Sequence, residues 1–116
     1  MAVTLELKGI FSMELEYGKL PLEPECCAIL IELSIGIKGQ EGGDIFSFTA
    51  ITPEFLIKKP ELRWGRGYLL LEYFSWQQVE KMAHNLLRHV VADSWEEATQ
   101  SLTKELHWEY ENYQGC

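Results

Sequence analysis

At 116 residues, with 47% hydrophobic and 24% charged side chains, the chain has the length and composition of one globular domain with its own core. Its 18 acidic residues against 10 basic ones give a formal charge of −8, which argues against direct nucleic-acid binding and permits a basic protein partner. No apolar run approaches the roughly 20 residues of a membrane span, and three cysteines, two of them adjacent, do not make a disulfide framework.

Val3, Leu5 and Leu7 alternate with Thr4, Glu6 and Lys8, which predicts a half-buried first strand. Gly9 interrupts it, and Met13, Leu15 and Tyr17 resume the alternation, so a bulge or bend is expected near Gly9–Ser12. The start lacks a basic segment followed by an apolar one, which reads as cytoplasmic rather than secreted. Pro21 and Pro24 mark an irregular connection.

Cys27 to Pro53 is the stretch on which the rest is organised. Cys27, Ile29, Ile31, Leu33, Ile35 and Ile37 alternate with Ala28, Leu30, Glu32, Ser34 and Gly36. Phe46, Phe48 and Ala50 then alternate with Ser47 and Thr49, giving a second strand. Gly39, Gly42 and Gly43 supply the positive φ of a hairpin corner.

Beyond it, Thr52 before Pro53 predicts one short capped turn. Tyr68 to Tyr73 reads as another strand. Ser75 with Gln78, and Ser94 with Glu97, form two capping boxes. The first opens a helix from Trp76 to about Val91, with Val79, Met82, Ala83, Leu86 and Val90 on its apolar stripe. The second opens a helix striped by Trp95, Ala98, Leu102 and Leu106, and Leu106 to Tyr113 alternates as a last strand. The order β-β-β-β-α-α-β predicts an α+β fold: a mainly antiparallel sheet of about five strands with two C-terminal helices on one face. Residues 1–113 form one domain and 114–116 a tail.

Three blocks, GIKGQEGGDIFSFTAITPEFL (Gly36–Leu56), WGRGYLLLEYFSW (Trp64–Trp76) and SWEEATQSLTKELHWEYENY (Ser94–Tyr113), run in the order of the Immunity protein 8 family, which the chain resembles from LELKGIF onward. The resemblance implies a small bacterial protein encoded beside a polymorphic or contact-dependent toxin, whose C-terminal domain it neutralises by binding. It implies no catalytic residues and no cofactor.

The residues agree with a non-enzyme. The Gly39–Asp44 corner lacks the Gly-Lys-Ser/Thr ending of a phosphate loop. Cys26-Cys27 lacks redox spacing and reads as structural thiols. Glu80 and His84 have metal-binding spacing on a helix, but a solvated ion pair with a helix neighbour is the plainer reading, and no metal site is assigned. His89 and His107 have no nucleophile beside them in the pattern.

If each strand buries its apolar parity, then Glu6, Glu32, Glu72, Glu109 and Glu111 emerge together on the uncovered sheet face. Ser34, Ser47, Thr49, His107 and Lys8 accompany them. This face, or the rim formed by Glu41 and Asp44, is the expected dock for a basic toxin surface such as that of a nuclease, with Tyr113 as an aromatic anchor. Trp108 and Tyr110 take the buried parity, so core packing is their first expected duty. The alternative function is a self-associating α+β domain whose exposed strand edge pairs with a second copy, which leaves a homodimer open.

Overall fold

The computed structural model describes residues 2–60 and 65–110. Three strands, β1 (Leu5–Phe11), β2 (Ala28–Ile37) and β3 (Asp44–Ile51), form an antiparallel meander. A short helix, α1 (Pro53–Lys58), then leads to β4 (Tyr68–Leu70), which lies parallel to the C-terminal half of β3. Helices α2 (Trp76–Arg88) and α3 (Trp95–Leu102) follow, and β5 (His107–Trp108) returns antiparallel to the N-terminal half of β3. The expected α+β fold with a mainly antiparallel five-stranded sheet is therefore observed, with three helices rather than two.

The alternating pattern of β2 and β3 sets the layers. Ile31 sits opposite Phe48 and Leu33 opposite Phe46, so one sheet face carries a continuous apolar set. On it pack Trp76, Val79, Ala83 and Leu87 of α2, Leu102 of α3, and Leu106 beyond α3. Ile31, Ile35, Phe46 and Val79 are fully buried. Each such side chain contributes about 1.5–3 kcal/mol by leaving water.

Caps fix where the helices start. The Thr52, Ser75 and Ser94 hydroxyls accept from the N–H groups of Phe55, Gln78 and Glu97, as the sequence predicts. The Glu97 carboxylate, however, accepts from the Asp93 N–H (3.2 Å), not from that of Ser94.

Several expected boundaries move, each for a visible reason. The bulge falls at Lys8, between Leu7 and Gly9, and β1 continues only to Phe11. The alternation of Met13 to Tyr17 is not a strand, because those side chains serve the loop. Glu14 Oε1 accepts from the Leu30 N–H (2.6 Å), filling a place on β2 beyond the end of β1. Tyr17 packs its ring on Trp76 (centroids 5.0 Å apart) and donates to Glu80 (2.6 Å). That bond corrects the reading of Glu80 as an ion-pair partner of a helix neighbour.

Helix α2 ends at Arg88, short of the expected Val91. Leu87 is buried on its stripe, while Met82 is 44% exposed. Strand β4 stops at Leu70, so Glu72 lies in the bend before α2. The expected strand from Leu106 to Tyr113 is reduced to His107–Trp108, followed by a turn at Glu109–Tyr110; residues 111–113 lie outside the described residues. In the hairpin corner Gly39 and Gly42 have positive φ, but Gly43 does not. It is needed instead because a Cβ there would meet the Ile35 carbonyl oxygen at 2.7 Å.

Candidate interaction face

The helices cover one side of the sheet, and the register reports what stands on the other. Phe11 of β1, Glu32 of β2, Ser47 of β3 and His107 of β5 are direct cross-strand neighbours and form one row. Leu30, Thr49 and Tyr68 form the next row, and Gly9, Ser34 and Ile45 the row on the other side. Glu6 lies opposite Gly36 near the hairpin corner. The register thus places Glu6, Glu32, Ser34, Ser47, Thr49 and His107 on one surface, as the alternation predicts.

Two carboxylates on this face differ in their circumstances. Glu6 Oε1 is 2.8 Å from Lys8 Nζ, and the same ammonium donates to the Gln40 carbonyl (2.6 Å). The Lys8 hydrogen bond, then its charge, holds the Glu6 carboxyl below the ordinary glutamate value, with Lys38 adding a smaller push. Glu32 stands in the middle of the face. Its Oε1 is buried and has no hydrogen-bond partner. An occluded oxygen without a donor costs about 1–3 kcal/mol, more when charged, and a native fold retains few of them.

The remaining expected site residues are distributed elsewhere. Asp44 lies opposite Ile35, on the helix-covered side, and its carboxylate accepts from Trp108 Nε1 (3.1 Å). Glu41 is exposed in the hairpin corner, Glu72 in the bend after β4, and Glu109 directly after β5. The Glu109 N–H donates to the Ile45 carbonyl, which keeps its backbone against β3. Glu111 and Tyr113 lie outside the described residues. Trp108 stacks on Phe46 (centroids 6.2 Å apart, planes 13° apart), and Tyr110 meets Trp108 edge-on while staying exposed. Core packing is thus the first duty of Trp108.

Apolar members of the face escaped the reading of its polar residues. Leu30 shares the parity of Glu32, and Ile45 that of Ser47, so both were available from the alternation. Phe11 was not, because the Lys8 bulge shifts the parity of everything after it. With Phe11 40% and Tyr68 37% exposed, the face mixes aromatic area with its carboxylates.

Other candidate chemistry resolves into structure. Burial, then the neighbouring Cys26, pushes the Cys27 thiol up, which makes it a poor nucleophile. Cys27 Sγ lies 3.6 Å from the Pro24 carbonyl. Among the described residues no group of three His, Cys, Asp or Glu converges in a way that could hold a metal ion. No helix among them is long and apolar enough to cross a membrane.

What the geometry defines is a small α+β protein that presents a broad, partly aromatic and partly anionic sheet face. The Immunity protein 8 family matches residues 5–113, nearly the whole chain, and the chain belongs to that family. It is therefore an immunity protein, of the class that counters a toxin. No curated protein and no solved structure matches it.

Proposed function

We propose that the protein neutralises its cognate toxin by stoichiometric binding in the cytoplasm, that it has no catalysis of its own, and that the uncovered sheet face is the docking surface. The toxin of this reading is polymorphic or contact-dependent, and its C-terminal domain presents a basic surface, as a phosphate-binding nuclease site does. Glu32 carries the choice of face. With no donor holding its occluded oxygen, the Glu32 carboxylate is free to turn outward onto a lysine or arginine from the toxin, and a guanidinium would also stack on Phe11. Glu109 adds charge from the rim, while Glu6 contributes less because Lys8 already neutralises it. Glu41, Glu72 and Asp44 are peripheral to this contact.

The test is Glu32→Gln, titrated calorimetrically against the C-terminal domain of the toxin encoded beside it. The expected result is at least a tenfold loss of affinity with thermal stability unchanged or raised, since the substitution removes a charge that the isolated fold does not satisfy. A folded variant that binds like the native protein would remove this face from the reading.

A further inference from the structure

A second surface lies at the outer edge of β1. A groove of about 640 Å³ is lined by Val3, Thr4, Leu5, Glu6 and Leu7 on one side and by His84, Leu87, Arg88 and Val90 on the other, with Lys38 at its end. Successive strand residues point to opposite faces. Five consecutive residues along one wall therefore mean that the strand's backbone edge forms it, rather than either face of the sheet.

The hydrogen-bond phase of β1 shows which backbone groups face the groove. The Lys38 N–H donates to the Thr4 carbonyl (2.8 Å), so Thr4 and Glu6 turn their polar groups inward to β2. Leu5 and Leu7, on the alternate phase, turn theirs outward. The outward N–H of Val3 is taken by the Ala92 carbonyl (2.8 Å), but nothing in the described residues bonds to the outward groups of Leu5 and Leu7, and the bulge at Lys8 ends the regular edge one residue later. The edge is short, but α2 stands beside it as a wall.

Charge narrows the occupant. The protein as a whole is strongly acidic, yet Lys38, Arg88 and His84 converge here. The acid in the groove, Glu6, is already paired with Lys8, and Arg88 donates to the Asn85 side-chain oxygen without losing its charge. We infer that this groove takes an extended acidic peptide segment, added as a strand to the outer edge of β1 alongside the C-terminal end of α2, with its carboxylates on Lys38 and Arg88. The outward N–H and C=O groups of Leu5 and Leu7 supply main-chain pairing, and the basic rim supplies selectivity. This site meets the uncovered face only at Glu6 and does not depend on the toxin-binding reading.

The experiment uses the full chain, labelled with ¹⁵N, and a capped seven-residue peptide alternating valine with aspartate; the control peptide carries lysine for aspartate. The expected result is saturable shifts and slowed hydrogen exchange at the Leu5 and Leu7 amides, with the lysine peptide at least tenfold weaker. The double variant Lys38→Gln, Arg88→Gln should lose at least tenfold in affinity for the acidic peptide. Both positions are exposed, and a native-like spectrum verifies that the variant folds. Three results would overturn the inference: no response at those amides at millimolar peptide, equal binding of the two peptides, or protection that rises with protein concentration alone. The last would assign the edge to a second copy of the chain.

Discussion

Gly67 shows how a single missing side chain fixes two elements at once. It precedes β4 with φ +83°, and a Cβ there would clash with the edge of the His107 imidazole. Its N–H donates to the Glu105 carbonyl and its carbonyl accepts from Thr49, so the backbone cannot retreat. Gly67→Ala combines a strained backbone with a steric conflict, and a loss of about 1–3 kcal/mol is expected from equilibrium urea unfolding. Tyr17 offers a second residue-scale prediction. Its hydrogen bond to Glu80, then burial and the Glu80 charge, raise the phenol above the ordinary tyrosine value. The folded state holds this proton more tightly than the unfolded state. Its stabilising contribution is therefore fully present below the unfolded pKa of about 10 and is lost as pH rises through the higher folded value. Ultraviolet titration of the native protein against Tyr17→Phe should show one phenol ionising late, and one that titrates at the ordinary value would refute the bond.

At the scale of elements, Thr52 joins α1 to the sheet. It is 1% exposed, and its hydroxyl accepts from the Cys27 N–H (3.0 Å) as well as capping Phe55. Thr52→Val keeps the shape and leaves two amide donors without that acceptor. The expected cost is about 2–4 kcal/mol in urea unfolding, with Thr52→Ser recovering most of it. This cap was legible in the sequence because Thr-Pro before a helix has a local cause. The β2–β3 hairpin was legible for the same kind of reason, ten residues of alternation closed by glycines. Elements whose limits depend on distant partners were not. β4 is three residues long because only Thr49 to Ile51 of β3 remains for it beyond the stretch taken by β5. The Phe11–Tyr17 alternation looked like a strand, yet Tyr17 spends its ring on Trp76, a contact no local pattern announces. The same division holds for the interaction face. Parity found Glu32, but its occluded oxygen, and the capture of Asp44 by Trp108, exist only once the strands are side by side.

For the molecule as a whole, the formal charge of −8 acts on stability before it acts on any partner. Like charges on a compact body repel, and unfolding relieves the repulsion by moving them apart. Attractive pairs oppose this, but the Lys8–Glu6 and Lys58–Glu54 bridges are solvent-accessible and contribute little. Salt screens both effects, and the repulsion among the excess carboxylates is the larger sum. Raising sodium chloride from about 20 to 200 mM shortens the screening length from roughly 20 Å to 7 Å, which weakens the long-range repulsion most. The midpoint of thermal unfolding should therefore rise by a few degrees over that range. The same rise should be smaller in a variant in which the exposed Glu41 and Glu72, neither of them a member of the Lys8 or Lys58 pair, are changed to glutamine. Calorimetry in both salts checks it. A midpoint that falls with salt would mean that the attractive pairs dominate, and that the acidic excess is arranged to support the fold as well as to meet a cation.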